Sequence, residues 1–169
     1  MPTWIFDLDY TLYQQNGTKF SYNKLYHSED LNSKINNLNG RKVLFTNGNL
    51  YHTLKCIRIM RMEKIFNKIL CRELTGFKPD INSYIKLYHL ANVPLNEDCI
   101  FFEDTIDNLV QAKRFHWTTV LIGDFPEDVK NLVRSLGRAQ ERVPQFASTF
   151  ALSLLQQRLT GLVIFSAAL

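Results

Sequence analysis

The chain has 169 residues, which suits one domain with a sizeable core and is short for two. Its composition, 46% hydrophobic and 21% charged, is ordinary for a globular protein and argues against wholesale disorder. The formal net charge of +4 favours anionic partners weakly and is too small to indicate nucleic-acid binding by itself.

The cysteines and the first residues indicate a cytoplasmic protein. Cys56, Cys71 and Cys99 are odd in number and lack CxxC spacing, so they predict reduced thiols rather than a disulfide framework or a zinc site. The N-terminus lacks the basic region and long apolar run of a signal peptide. The apolar stretch 146–169 is interrupted by polar residues at 156–158, which favours an amphipathic helix or a non-native tail over a membrane anchor.

Short apolar runs along the chain predict buried strands. They cover residues 3–8, 42–45, 69–71, 99–102 and 118–122. Longer segments between them carry apolar residues at helical spacing, over residues 50–62, 80–91 and 105–115. This alternation predicts an α/β fold of the Rossmann-like, three-layer α/β/α kind, with helices on both faces of a central parallel sheet.

Two regions depart from the alternation. Residues 13–40 are rich in Asn, Tyr, Lys and Ser, and predict only one short helix after Ser28. A last helix is predicted at 126–136. We therefore expect a domain over residues 1–136, followed by a C-terminal tail over residues 137–169 for which a helix is one alternative and no role is assigned.

Asp7 and Asp9 directly follow the first predicted strand, with Thr11 two residues further on. Side chains two apart on a strand point the same way, so both acids should face the carboxyl edge of the sheet, where open α/β sheets bind ligands. Two carboxylates there can supply a nucleophile and a general acid–base group. Taken alone, the motif equally fits acids and a threonine that end a strand and begin a turn.

Polar residues also precede the next two predicted helices. Thr46 and Asn47 follow the second strand, where a hydroxyl and backbone N–H groups can hold a phosphate oxygen. Alone, an ordinary turn with a capping Asn49 explains them better. Lys78 precedes Pro79, which suits the first turn of a helix. Lys78 would then place a compact cation at the mouth of that helix, although an isolated lysine is more often solvated.

A fourth group, Glu103 and Asp104 with Asn108, follows the strand predicted at 99–102. Adjacent carboxylates at a strand end suit a hard cation, and magnesium usually takes one or two protein carboxylates and keeps several waters. The alternative is a pair of helix-capping acids, with Asp104 or Thr105 as the cap.

Taken together, the four groups are stronger evidence for a functional site than each is alone, because each follows a predicted strand, in chain order. Gathered at one edge, Asp7, Asp9, Glu103 and Asp104 would repel one another strongly. A divalent metal and Lys78 would relieve that repulsion and would also attract a phosphate. The combination predicts a magnesium-dependent site for phosphate chemistry.

The same residues resemble the four motifs of the haloacid dehalogenase superfamily, over about residues 2–123. The resemblance implies that Asp7 attacks phosphorus and forms an aspartyl-phosphate. It implies that Asp9 protonates the leaving oxygen and then activates water. It also implies that Thr46, Asn47 and Lys78 bind the phosphoryl group, while Lys78 steadies Asp7 as well.

The resemblance also implies a cofactor, Mg²⁺. Its ligands would be Asp7, the backbone carbonyl of Asp9, and Asp104. Close to the metal, the resemblance places Glu103, Asn108 and Thr11.

Several features bear on the substrate. Asp9 favours a phosphatase, because the dehalogenase members lack an aspartate at that position. The strings at 6–13 and 101–105, with Asn108, resemble the pyrimidine 5′-nucleotidase branch, which implies a nucleoside monophosphate substrate. Members of that branch carry a helical cap domain between the first two motifs, and residues 13–40 are too few for a domain with its own core. We therefore expect a reduced cap or flap, and an open site that a large substrate or an oligomer partner would close.

Two other functions fit the sequence less well. A capless phosphatase acting on a phosphoprotein or a nucleic-acid end is compatible with a cluster of basic residues, although helical lysines and arginines are usually a solvated face. That cluster comprises Lys55, Arg58, Arg61, Lys64 and Lys68. A non-catalytic binding protein that keeps the fold ranks last, because every residue that the chemistry needs is present.

The four histidines and four of the tyrosines are further candidates for a role at the site. The histidines show no metal-ligand spacing, so we expect surface or internally satisfied side chains. They are His27, His52, His89 and His116. Four tyrosines should lie near the site opening, where plain packing is the better expectation and stacking on a base the alternative. They are Tyr10, Tyr13, Tyr22 and Tyr26.

Overall fold

The structure is a computed structural model that describes residues 1–15, 19–123 and 165–167. Its strands are β1 (Thr3–Phe6), β2 (Arg41–Phe45), β3 (Lys68–Leu70), β4 (Cys99–Glu103), β5 (Thr118–Leu121) and β6 (Phe165–Ala167). Its helices are α1 (Glu29–Asn36), α2 (Leu50–Ile59), α3 (Arg72–Thr75), α4 (Ile81–Leu90) and α5 (Ile106–Lys113), with a 3-10 turn at Tyr22–Lys24. None of the helices among these residues is long and apolar enough to cross a lipid bilayer.

The strands form one sheet in the order β3-β2-β1-β4-β5-β6. The first five in this order run parallel, and β6 pairs antiparallel with β5. In the register, Phe6 of β1 lies between Leu44 of β2 and Phe102 of β4. The carboxyl ends of these three strands therefore lie side by side, and the residues that follow them share one edge of the sheet.

Alternate residues of the central strand β1 belong to two separate apolar clusters, one on each face of the sheet. Phe6 packs with Ile35 of α1 and Ile57 of α2 on one face. Ile5 packs on the other face with Tyr84 of α4 and with residues of α5. Because both faces of the sheet are covered, its strands are apolar throughout, as buried parallel strands require. The predicted three-layer α/β/α fold is confirmed.

Helices α1, α2 and α5 begin after caps that the sequence predicts, and α2, α4 and α5 end earlier than the apolar spacing predicts. Ser28 caps α1, since its hydroxyl accepts from the backbone N–H of Leu31 at 3.3 Å. Beyond the last turns of α2, α4 and α5, the chain reverses through residues with positive φ, namely Arg61, Asn92 and His116. A left-handed residue after the last turn is a common helix end. Only Asn92 carries a sequence signal for it, because glycine is absent from all three positions.

The last part of the chain is described only at one strand. The helix predicted at 126–136 and most of the tail predicted at 137–169 lie outside the described residues. Phe165–Ala167 form β6 against β5, so a helix at these three positions is wrong. A short apolar run does not reveal by its periodicity whether it becomes a strand or a helix, and here a distant strand edge determines the outcome.

Candidate active site

Lys78 lies at the centre of the polar residues at the carboxyl edge of the sheet. Only 4% of the residue is exposed. Its ammonium group donates to Asp7 Oδ1 at 2.8 Å, to Glu103 Oε2 at 2.6 Å and to the backbone carbonyl of Phe45 at 2.8 Å. An ammonium has three protons, so each proton has a partner. A solvated surface lysine, the alternative raised by the sequence, is therefore wrong.

Asn47 fixes the backbone that carries Lys78. Its amide donates to the carbonyl of Lys78 at 3.0 Å, and its carbonyl accepts from the N–H of Lys78 at 2.7 Å. The sequence did not predict this link between the loops after β2 and before α4. The predicted contact of Asn47 with phosphate stays a prediction. The expected position of Pro79 is wrong by two residues, because Asp80 is the N-cap and α4 begins at Ile81.

Glu103 is saturated by contacts within the protein. Its Oε1 accepts from the backbone N–H groups of Asp104 and Thr105, each at 3.0 Å. Its Oε2 accepts from Lys78 and, at 2.9 Å, from the side-chain amide of Asn108. A carboxylate offers about four lone-pair positions, so these contacts leave little of Glu103 for a ligand. Glu103 therefore orients Lys78 and the turn that begins α5.

The carboxylates of this edge carry more negative charge than Lys78 can neutralise. Burial raises the pKa of Asp7 to about 7, and Glu103 adds to this rise against the opposing effect of Lys78. Burial and the neighbouring Glu103 raise the pKa of Asp104 to about 8. Burial also disfavours the ionised form of Glu103, but the charge of Lys78 and the hydrogen bonds that Glu103 accepts together outweigh it and hold the pKa of Glu103 below its usual value. A further cation at this site would offset the remaining repulsion.

Nearly all of the predicted site residues line one cavity of about 150 Å³. Its walls are Asp7, Asp9, Tyr10, Thr46, Asn47, Glu103, Asp104, Thr105 and Asn108. Lys78 is not in the cavity wall but contacts Asp7, which is. Thr11 is buried in the turn after β1. The structure therefore brings together the acids and the hydroxyl from the ends of β1, β2 and β4 with the ammonium group from the loop before α4, as the sequence predicts. The roles assigned to them stay predictions.

The acids of the cavity fit a hard cation. Oxygen atoms of Asp7, Glu103 and Asp104 lie within 4.8 Å of one another. Since Glu103 is saturated, Asp7 and Asp104 are the carboxylates left to bind an ion. Asn108 adds a buried Oδ1 atom that has no hydrogen-bond partner among the described residues. Oxygen donors with room for water are what magnesium prefers.

Thr46 can offer a proton to an anion in the cavity. Its hydroxyl oxygen already accepts from the backbone N–H of Gly48 at 2.9 Å. A hydroxyl has one proton to donate, so that proton can point to another acceptor. The next helix, α2, begins here, with its N-cap Asn49 accepting from the N–H of His52 at 2.7 Å. The capping role expected of Asn49 is confirmed.

His52 is the polar residue of the site that the sequence did not single out. Its Nε2 lies 2.6 Å from Asp9 Oδ1, and its Nδ1 lies 3.0 Å from the hydroxyl of Tyr22. The hydrogen bond to Asp9 is the main cause that raises the pKa of His52 to about 11. His52 is therefore a satisfied histidine, as expected, but its partner is a predicted catalytic acid. The sequence could have indicated this role, because His52 lies in the first turn of α2, shortly after Thr46.

Three of the four tyrosines named from the sequence gather around Asp9. The hydroxyl of Tyr13 donates to Asp9 Oδ1. Burial and Asp9 raise the pKa of Tyr13, so the phenol keeps its proton. Tyr10 lines the cavity and is 40% exposed, while Tyr22 reaches Asp9 through His52. Tyr26 is 73% exposed and is not part of the cavity wall.

Comparisons with known proteins identify the fold. No protein-family model matches the chain, and no curated protein matches it. Among solved structures, the L-2-haloacid dehalogenase of Xanthobacter autotrophicus with chloropropionic acid covalently bound is 16% identical, with a TM-score of 0.54 over 78% of this chain and 52% of that chain. The same enzyme in a second structure is 17% identical over the same shares, again with a TM-score of 0.54. Another dehalogenase is 19% identical, with a TM-score of 0.56 over 74% of this chain and 55% of that chain.

These likenesses define the class of fold as the haloacid dehalogenase type. The expectation of that fold is confirmed. The chain spans about half the length of the structures it matches. The resemblance to the nucleotidase branch and the reduced cap expected over residues 13–40 stay predictions.

The buried contacts of Lys78 predict a large stability effect. Lys78→Met would leave Asp7 and Glu103 buried without their counter-ion, so we expect the free energy of unfolding to fall by about 3–5 kcal/mol. Urea unfolding in a buffer with a metal chelator measures this loss. The matched control is Lys86→Met on the exposed face of α4, with an expected change within about 0.5 kcal/mol. Equal losses in both variants would contradict the described ion contacts.

Proposed function

We propose that this protein is a magnesium-dependent phosphohydrolase that cleaves phosphate monoesters through an aspartyl-phosphate on Asp7. The observation that carries the proposal is that Asp7, Asp9 and Asp104 line one cavity together with Thr46. This reaction needs a nucleophile, an acid–base group, a metal ligand and a group that donates a hydrogen bond to the phosphate.

In the first step, Asp7 attacks phosphorus. Its Oδ1 is held by Lys78, so the attacking atom is Oδ2. As the new O–P bond forms, the P–O bond to the leaving group breaks, and Asp9 gives its proton to the leaving oxygen. The hydroxyl of Thr46 donates to the transferred phosphoryl group, and the positive charge of Lys78 beside Asp7 stabilises the negative charge that develops there.

In the second step, water releases the phosphate. Asp9 is now a carboxylate and takes a proton from water, whose oxygen attacks phosphorus. The bond between phosphorus and Asp7 Oδ2 breaks, and Asp7 returns to its starting form. Asp9 thus acts first as an acid and then as a base.

Magnesium would be held by Asp7 and Asp104, together with the backbone carbonyl of Asp9 that the resemblance implies. When bound, it supplies positive charge next to the transferred group and offsets the repulsion among these acids. The buried Oδ1 atom of Asn108, which finds no hydrogen-bond partner in the described part of the chain, supports a hydrated ion there, because a metal-bound water would donate to it.

The solved dehalogenase structures that are similar in fold make a dehalogenase the second candidate function. Asp9 favours the phosphohydrolase instead. A halide leaves without a proton, whereas an alkoxide needs one, so an acid group in the cavity serves only the ester reaction. The excess of carboxylates over Lys78 also favours a metal-dependent reaction.

The proposed nucleophile gives the first functional prediction. Asp7→Asn should lower magnesium-dependent phosphate release from a nitrophenyl phosphate by about 10³-fold or more, because the attacking oxygen is lost. Asp107→Asn is the matched control, since Asp107 is exposed on α5 and absent from the cavity wall, and it should keep the wild-type rate. Unchanged phosphate release in Asp7→Asn would defeat the mechanism. Chloride release from 2-chloropropionate without any phosphatase activity would favour the dehalogenase.

Metal binding gives a prediction that does not depend on turnover. Magnesium should raise the melting temperature of the wild type, since an ion present at about 100 times its Kd adds about 2.7 kcal/mol to the folded state. This rise should be much smaller in Asp104→Asn and unchanged in Asp107→Asn. In chelator at pH 9, Asp104→Asn should be more stable than the wild type. The raised pKa of Asp104 means that its ionisation weakens the fold progressively as pH rises from its ordinary value of 3.8 to about 8, and the full loss is present at pH 9. An equal magnesium shift in all three proteins would refute this metal site.

We propose a nucleoside monophosphate as the substrate. The strings at 6–13 and 101–105 support it by resemblance, and Tyr10 offers a half-exposed ring at the cavity for a base to stack on. Mononucleotides should therefore be hydrolysed faster than phosphopeptides or oligonucleotides with 5′- or 3′-terminal phosphates. A preference for either macromolecular class would favour the capless phosphatase, and equal feeble rates on all of them would favour a binding protein.

A further inference from the structure

His52 holds one oxygen of the Asp9 carboxylate. Its Nε2 lies 2.6 Å from Oδ1, and the hydroxyl of Tyr13 donates to the same atom. No hydrogen bond from the described residues reaches Oδ2. The Asp9 side chain is 31% exposed, and a carboxylate in that position would rotate freely without such partners. Both contacts together hold the carboxylate by this one oxygen.

The ring of His52 is itself fixed on several sides. The hydroxyl of Tyr22 lies 3.0 Å from Nδ1, and the ring of Phe20 packs edge-on with 5.0 Å between the centroids. Cys56, one turn further along α2, places its Sγ 3.6 Å from Nε2. The side chain of His52 is only 17% exposed. An imidazole with both nitrogens engaged and its ring packed can impose its orientation on a neighbour.

We propose that His52 is a positioning residue for the acid–base group: it holds Asp9 by Oδ1, so that Oδ2 meets the leaving oxygen and later the attacking water. The inference rests on the proposed function and extends it to a residue that touches neither phosphorus nor metal. Tyr22 and Phe20 belong to the chain between β1 and β2. That segment therefore acts on the reaction by orienting Asp9 through His52.

A positioning role differs measurably from an ion pair that only adds stability. Leaving groups that are weakly basic, such as a nitrophenolate, depart without a proton, whereas an alkoxide does not. Misplacing Asp9 should therefore slow the cleavage of alkyl phosphates selectively. A purely structural loss would reduce the rates for both kinds of ester by the same factor.

The test compares kcat/KM for a nitrophenyl phosphate and an alkyl phosphate, since this constant reports the step in which the leaving group departs. His52→Ala should lower it about 10²-fold for the alkyl ester and less than about tenfold for the aryl ester. His52→Gln should recover part of the alkyl activity, because its amide can donate to Asp9 Oδ1. Tyr22→Phe should show the same selectivity to a smaller degree. His89→Ala, on the exposed face of α4, is the matched control and should change neither constant.

Further variants separate the possible failures. In an Asp9→Asn background, His52→Ala should add no further loss for the alkyl ester, because two residues that act as a unit are not additive. Equal losses on both esters, or full additivity with Asp9→Asn, would overturn the positioning role. If His52→Ala fails to fold, the selectivity of His52→Gln and Tyr22→Phe decides the question. A wild type that hydrolyses neither ester would instead refute the proposed function and this inference with it.

Discussion

One buried ammonium group holds the candidate site together. Lys78 contacts Asp7 at the end of β1 and Glu103 at the end of β4, so a single side chain links the central strand, its neighbour and the loop before α4. Each charge taken out of water costs several kcal/mol unless it is paired, which requires the three groups to keep this geometry. Lys78 cannot also neutralise Asp104, and Glu103 is saturated. The remaining acids therefore present an oxygen-rich cavity that suits a divalent cation.

Much of the fold and of the cavity could be predicted because they follow from local patterns. The five parallel strands are short apolar runs separated by amphipathic segments, and a parallel sheet brings their carboxyl ends to one edge. Asp7, Thr46 and Glu103 directly follow or end such strands, so their neighbourhood follows from the topology alone. The contact between Lys78 and Asp7 could be predicted only from the four motifs taken together, because an isolated lysine gives no indication that it is buried.

Contacts between distant side chains could not be predicted in this way. His52 is one of several scattered histidines, and only the folded chain places it against Asp9. The double hydrogen bond of Asn47 to the backbone of Lys78 likewise joins two loops that are far apart in sequence. The strand Phe165–Ala167 depends on the free edge of β5, which no local pattern encodes. Tertiary partners decide such features, and local propensity does not.

If these residues act as proposed, a covalent bond joins Asp7 to phosphorus during turnover. The most direct measurement is acid quenching of the enzyme with magnesium and a phosphate-labelled ester, followed by peptide mapping. We expect label on the peptide that contains Asp7, released by hydroxylamine as an acyl phosphate requires, and no label in Asp7→Asn. Multiple turnovers with no labelled peptide at any quench time, or with the label on another residue, would contradict nucleophilic attack by Asp7.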